Sequence, residues 1–362
     1  MSLFTDSAVR VGVLDQSPIP EGSTAGQALR NSLELAQLAD GLGYNRYWLA
    51  EHHGTPGLAC ASPEVMIGQV AQVTSNIRVG SGGIMLPHYS PLKVAETFSM
   101  LEGMYPGRID LGIGRAAGTS PGVAFALQRD RRQRAPDDFP EQFGELLSYF
   151  SDPSTPGGPF PQIARALPAF AALKPFLLGS SLQSAVWAAE LGLPYVFADF
   201  INARGAENVE YYIKRFTPSQ YLQAPHVIVA VWVICAETDE EALKLSASSR
   251  MMMTLLHQGK LIAVPPVETA LEFLNKNRLP PDTLPPGRRF VTGSPDTVRS
   301  QLEDVAREYG NPDEFLLVNI MHSHTARMES YRLAANALGL TIAPELAEKH
   351  HDRLTTAVAN RL

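Results

Sequence analysis

Short apolar runs alternate with helical patterns along this whole chain, and that alternation limits its fold more than any other feature. Val9 to Leu14, Arg46 to Ala50, Ile77 to Leu86 and Arg108 to Ile113 read as strands, followed by Phe176 to Leu178, Pro194 to Phe197, His226 to Cys235 and Phe315 to Ile320. Between them lie amphipathic stretches. Thr24 to Leu42 begins with the capping-box spacing of Thr24 and Gln27 and repeats Ala28, Leu35, Ala39 and Leu42 on one face. Further helices are expected over Ser62–Thr74, from Pro91 (with Val94, Phe98 and Leu101), and over Pro140–Phe150, Leu182–Leu191, Glu207–Phe216, Asp239–His257 and Pro295–Tyr309, with a last one from Thr325. A strand followed by a helix, repeated, gives parallel strands, because each parallel crossover needs a helix to return the chain. Eight such pairs in 362 residues predict a (β/α)8 TIM barrel rather than an open sheet.

Two Pro- and Gly-rich segments interrupt the repeat, Ser151 to Lys174 and Gln258 to Arg289, the latter with Pro265-Pro266, Pro280-Pro281 and Pro285-Pro286. Loops beyond about 15 residues are usually covers or linkers. Both read here as insertions over one barrel face (about 151–174 and 258–289) in a single domain spanning 1–362; plain surface loops are the competing reading. A domain of this size buries enough surface to fold without disulfides or a structural metal.

Composition removes several function classes. Lys and Arg number 30 against 37 Asp and Glu, a net charge of −7, and the densest basic run, Arg129 to Arg134, contains Asp130 and precedes Asp137 and Asp138, so nucleic acid is not an expected partner. Two cysteines, Cys60 and Cys235, make neither a disulfide framework nor a zinc site. Met1 to Arg10 lacks the apolar core of a secretory signal, and no apolar run approaches the roughly 18 residues of a membrane span. A soluble cytoplasmic protein is expected.

In a barrel the chemistry gathers where strands end in βα loops. Glu51-His52-His53 lies at one such end; alternation sends Glu51 and His53 one way and His52 the other, so the three cannot converge on one metal, although one imidazole facing the barrel mouth would exchange protons near neutral pH. Backbone satisfaction of the imidazole is the alternative. Gly80-Ser81-Gly82-Gly83 inside a strand suggests a bulge, a bend at a barrel corner, or a flat ligand against bare backbone. Gly112-Ile-Gly-Arg-Ala-Ala-Gly118 is spaced unlike a dinucleotide fingerprint, but Arg115 at a strand end suits a phosphate, with a surface ion pair as the alternative. Gly179-Ser-Ser-Leu-Gln-Ser184 follows a strand and opens a helix, where free N–H groups and serine hydroxyls make an anion site or an ordinary cap. His322-Ser-His324 could bind metal, but Asp199 is the sole carboxylate read at another strand end, so no metal site is assigned.

Tyr47-Trp-Leu-Ala-Glu-His-His53, Val79-Gly-Ser-Gly-Gly-Ile-Met-Leu-Pro87, Pro106-Gly-Arg-Ile-Asp-Leu-Gly-Ile-Gly-Arg115 and Leu178-Gly-Ser-Ser-Leu-Gln-Ser-Ala185 together resemble the bacterial luciferase-like flavin monooxygenases, most closely the single-chain alkanal-monooxygenase-like members. The resemblance runs in register over nearly the whole chain. It implies FMN at the C-terminal face of the barrel and commonly a homodimer. It implies that His52 assists flavin chemistry, that a non-prolyl cis peptide at Gly82–Gly83 lies beneath the isoalloxazine ring, that Arg115, Ser181 and Ser184 hold the phosphate, and that Ser81, Gly179 and Ser180 also belong to the cofactor site. Two positions depart from luciferase itself: Ser180 replaces an acidic residue and Gly114 a reactive cysteine, so light emission is not implied.

The resemblance also implies a mechanism: reduced FMN from a separate flavin reductase docks, oxygen adds to give a peroxyflavin, and a small organic substrate is oxidised in a site closed to water. The chain carries no nicotinamide fingerprint, in keeping with imported reduced flavin. Ala116 to Arg134 and the two Pro-rich insertions are the expected lids. Three rivals remain: a deazaflavin-dependent hydride transferase on the same barrel, a flavin-binding protein without turnover, and a metal-dependent barrel hydrolase built on His322 and His324.

Overall fold

In a computed structural model of the chain, residues 9–115, 120–128, 131–132, 137–151, 159–166, 173–279 and 289–341 are described. The first half runs β1 (Arg10–Asp15), α1 (Ala25–Gly41), β2 (Arg46–Leu49), α2 (Pro63–Val73), β3 (Arg78–Ser81), β4 (Ile84–Met85), α3 (Pro91–Met104), β5 (Ile109–Gly114), α4 (Pro121–Leu127), α5 (Phe139–Tyr149) and α6 (Pro161–Ala166). It continues with β6 (Pro175–Gly179), α7 (Leu182–Glu190), β7 (Tyr195–Ala198), α8 (Ala206–Arg215), β8 (Val227–Cys235), α9 (Asp239–Leu245) and α10 (Ala247–His257). The last elements are α11 (Val267–Lys276), β9 (Phe290–Gly293), α12 (Pro295–Glu308), β10 (Glu314–Val318) and α13 (His324–Ala337). Every strand pair is parallel, and pairing of β10 with both β1 and β8 closes an eight-stranded barrel inside a ring of helices.

Alternation along each strand builds two cores. In β8, Val227, Val229, Val231, Val233 and Cys235 pack outward against the helices, while Ile228, Ala230, Trp232 and Ile234 fill the barrel. In β2 the outward residues are Tyr47 and Leu49 and the inward ones Arg46, Trp48 and Ala50. Arg46 is a cation in the barrel floor and is fully paired: it donates to Glu314 at 2.8 Å and to Asp110 at 2.6 Å, and Trp48 Nε1 also donates to Asp110 at 2.9 Å. A buried charge is tolerated only with such partners.

The eight strands read from the sequence all form, and the structure adds detail the sequence did not suggest. The expected strand Ile77–Leu86 is two strands, β3 and β4, separated by a cis peptide at Gly82–Gly83. The expected helix Asp239–His257 breaks at Ser246 into α9 and α10. The expected loop Gln258–Arg289 contains α11, entered at Pro266, and β9 follows it directly. β9 pairs with Trp232–Cys235 of β8, beyond Ala230 where β7 leaves that strand. The expected loop 151–174 contributes α6, and its parts at 152–158 and 167–172 lie outside the described residues, as do 116–119, 129–130 and 133–134 of the expected lid and 280–288 of the second insertion. Among the described residues no helix is long and apolar enough to cross a membrane.

Candidate active site

At the C-terminal ends of the strands lies a cavity of about 350 Å³. Its wall comes from β1 (Leu14, with Gln16 just beyond), the ends of β2 and β3 (Ala50, His52, Gly82, Gly83), β5 (Gly114, Arg115) and β6 through the start of α7 (Gly179, Ser180, Ser181, Ser184). Phe139, Trp187, Phe200 and Ile201 complete it. Of the residues that the family resemblance assigns to the cofactor site, all but Ser81 line this one space.

Ser81 is fully buried instead. Its hydroxyl donates to the Gly112 carbonyl at 2.9 Å and accepts from the Gly112 N–H at 3.0 Å, tying β3 to β5 beside the two glycines. That bond leaves Gly82 and Gly83 as bare backbone on the cavity wall. A side chain does not fit there: a Cβ on Gly83 would lie 2.8 Å from the Gly112 carbonyl oxygen.

Glu51 holds this wall from behind. Fully buried, it accepts from the Met85 N–H at 2.9 Å, from Tyr89 Oη at 3.0 Å and pairs with His53 Nε2 at 2.7 Å. His52 points the other way, as strand alternation requires, into the cavity. Its Nδ1 is buried with no hydrogen-bond partner. Burial, with the His53 imidazole adjacent, pulls its pKa down to about 4, so the ring is neutral near pH 7.

The same wall carries a guanidinium and a helix N-terminus, and Arg115 makes the ion pair that was the alternative reading of it. Arg115 lies with its guanidinium carbon 5.4 Å from the Trp187 ring centre and is held by an ion pair to Asp137. Ser181 caps α7 without using its side chain, leaving its hydroxyl and the first-turn N–H groups of the helix facing the same cavity. Ser184 is engaged: its hydroxyl donates to the Ser181 carbonyl at 2.7 Å and meets Tyr195 Oη at 3.0 Å, so it shapes the helix start. The Ser180 carbonyl accepts from Asn202 Nδ2 at 3.1 Å. Bare backbone on one wall, an unpaired imidazole nitrogen, and a guanidinium beside a helix N-terminus fit a flat ring carrying a phosphate.

His322 and His324 take no part. His322 Nε2 meets the Glu21 carbonyl at 3.2 Å and His324 Nε2 the Glu34 carboxylate at 3.2 Å. Among the described residues no group of three or more His, Cys, Asp or Glu could hold a metal. Asp199 is turned away to Tyr309 and Arg289, and burial raises its pKa to about 6.

A second cavity of about 580 Å³ adjoins the first, and the two share Gln16, His52, Phe200 and Ile201. Its wall is Leu58, Trp232, Met252, Met253, Leu256, Leu261, Ile262, Val318 and Ile320, with His53, Thr55, Ser120, Pro121, Gly259 and Lys260. The expected covers do contribute here, through Ser120 and Pro121 and through residues 259–262. Sequence reasoning missed Gln16 and Trp232; Gln16 follows β1 directly, and the rule that chemistry sits at strand ends points to it.

Residues 9–311 match the model of the luciferase-like monooxygenase family. An Escherichia coli K12 protein described as a luciferase-like monooxygenase is 37% identical over 337 residues, covering 91% of this chain and 97% of that one. A Bacillus subtilis N-acetyl-S-alkylcysteine monooxygenase is 35% identical over 344 residues, covering 91% and 98%. Among solved structures, apo-MsnO8 superposes with a TM-score of 0.80 at 40% identity, covering 92% of this chain and 99% of that one. The fold alone extends to a Pseudomonas putida diketocamphane monooxygenase constituent in complex with FMN (TM-score 0.68, 20% identity, 93% and 99% covered) and to an F420-dependent secondary alcohol dehydrogenase (0.60, 14%, 91% and 99%). The chain belongs to the luciferase-like monooxygenase family.

Proposed function

We propose that this protein is an FMN-dependent monooxygenase that oxidises a small organic molecule with dioxygen. The observation that carries the reading is the first cavity: Arg115 and the start of α7 at one end, Gly82 and Gly83 as a bare wall, and neutral His52 where the second cavity begins. Reduced FMN supplies the two electrons of the reaction, one oxygen atom passing to the substrate and the other leaving as water. The residues of the chain bind the phosphate, orient the ring and exclude water. Unpaired His52 Nδ1 is placed to accept or return a proton where ring and substrate meet. A separate reductase supplies the reduced flavin, in keeping with the missing nicotinamide fingerprint.

We further propose a homodimer. Val65 and Val73 on α2 and Met100 and Met104 on α3 are 38–64% exposed, and the two helices adjoin through a Tyr105 Oη bond to the Gly68 carbonyl at 3.2 Å. Exposed apolar groups on neighbouring helices mark a surface that another protein covers, and a second copy supplies the same surface.

The test is isotopic. With chemically reduced FMN, 18O2 and a panel of ketones, aldehydes and thioethers, a product carrying one 18O atom supports the reading. Reduction of a carbonyl substrate by reduced deazaflavin, with no label incorporated from oxygen, would overturn it.

A further inference from the structure

Three methionines line the two cavities, Met252 and Met253 the second and Met85 the first. Met85 follows the bare glycine wall directly. Ile84 packs into the outer core, so alternation turns Met85 to the inner side of the strand, the side of Gly83. Its main chain is fixed by the N–H bond to buried Glu51 at 2.9 Å. Its sulfur lies against Gly114, its register partner on β5, which also lines the first cavity. A Cβ on Gly114 would meet Met85 Sδ first, at 3.2 Å, so the thioether fills the space in front of that bare position. The side chain is half-buried. Met251 and Met328 are also half-buried, but neither lines either cavity. A thioether is readily converted to the sulfoxide by an oxidant that can reach it.

We propose that Met85 is a sulfoxidation site of the protein's own reaction: when no substrate fills the second cavity, the Met85 sulfur receives the oxygen atom. This rests on the proposed monooxygenase activity. The sulfur lone pair forms the new S–O bond as the O–O bond of dioxygen breaks. The sulfur gives up two electrons, reduced FMN supplies the other two with two protons, and the second oxygen atom leaves as water. The product is a polar sulfoxide in place of an apolar thioether on the wall assigned to the ring, so it weakens flavin binding and halts a cycle that has no substrate to consume.

The experiment gives the full chain reduced FMN and 18O2, with catalase to remove free peroxide and no substrate, and maps oxidation residue by residue by mass spectrometry. Met85 is expected to carry one 18O atom at roughly tenfold the level at Met251 and Met328, and a substrate that is turned over should lower that label. After this treatment the wild type is expected to lose roughly fivefold in FMN affinity and Met85→Leu to lose none. A second measurement needs no turnover: hydrogen peroxide is applied to the flavin-free protein, and oxidised FMN is expected to slow oxidation of Met85 roughly tenfold while leaving Met328 unchanged. Label at Met85 no higher than at Met251 and Met328, equal affinity losses in wild type and Met85→Leu, or no protection of Met85 by FMN would overturn the proposal. An unlabelled Met85 in a protein that delivers 18O to a ketone, aldehyde or thioether overturns this proposal and leaves the monooxygenase reading standing; an unlabelled Met85 with no labelled product removes both.

Discussion

His52 stands half-buried where the two cavities meet, and its burial decides its charge. Desolvation, aided by His53, pulls its pKa down to about 4, against an ordinary value near 6.5. The neutral ring is therefore the folded-state form, its stabilising contribution is complete above about pH 6.5, and it is lost as pH falls toward 4. An NMR titration with the resonance assigned by His52→Gln should show a midpoint near 4; a midpoint at 6 to 7 would mean an open, hydrated ring. Asp15 follows the same logic with the opposite charge. Burial alone would raise its pKa, but Arg327, Ser32, Tyr47 and the Ser17 N–H outweigh that and lower it. Asp15→Asn leaves the buried Arg327 guanidinium without its counter-charge, which should cost about 3–5 kcal/mol in urea unfolding. The acid branch agrees: the wild-type contribution of Asp15 is present above its unfolded pKa and fades as pH falls below it.

At the scale of elements, the glycine ending β6 sets the start of α7. A Cβ on Gly179 would lie 2.2 Å from Ser184 Oγ, so Gly179→Ala must move the first turn that lines the first cavity. FMN affinity should fall at least tenfold with the fold intact by circular dichroism, and adding Ser184→Gly should recover much of it. Unchanged affinity in Gly179→Ala would show that the helix start does not hold the phosphate. The barrel strands were legible because parallel strands buried on both faces are apolar throughout, as Val227–Cys235 is. β9 was not: Phe290–Gly293 is four residues behind a Pro-rich stretch, too short for a period to register. α11 was hidden by its own punctuation, since the prolines that suggested a loop include Pro266, which starts the helix. The break at Ser246 carries no Gly or Pro. Most first-cavity residues fell in four compact motifs, whereas the second cavity draws Gln16, Leu58, Ser120, Trp232, Met252 and Val318 from segments far apart in sequence, and only folding brings them together.

The whole molecule places a closed barrel beneath two joined cavities, with the expected covering segments supplying Ser120, Pro121 and residues 259–262 above. If a second copy covers α2 and α3, Met100→Glu combined with Met104→Glu should convert a sedimenting dimer to a monomer without altering FMN affinity, because neither residue lines a cavity. Wild-type protein sedimenting as a monomer at micromolar concentration would contradict the dimer. The proposed function requires Arg115 and the start of α7 to hold a phosphate. The direct measurement is the affinity of the protein for FMN and for riboflavin, which lacks the phosphate, before and after Arg115→Gln. Charge-assisted hydrogen bonds of this kind are worth roughly tenfold or more in affinity. FMN should bind wild-type at least tenfold more tightly than riboflavin, and Arg115→Gln should remove most of that difference while leaving riboflavin unaffected; equal affinities for the two flavins in the wild-type protein would contradict the account.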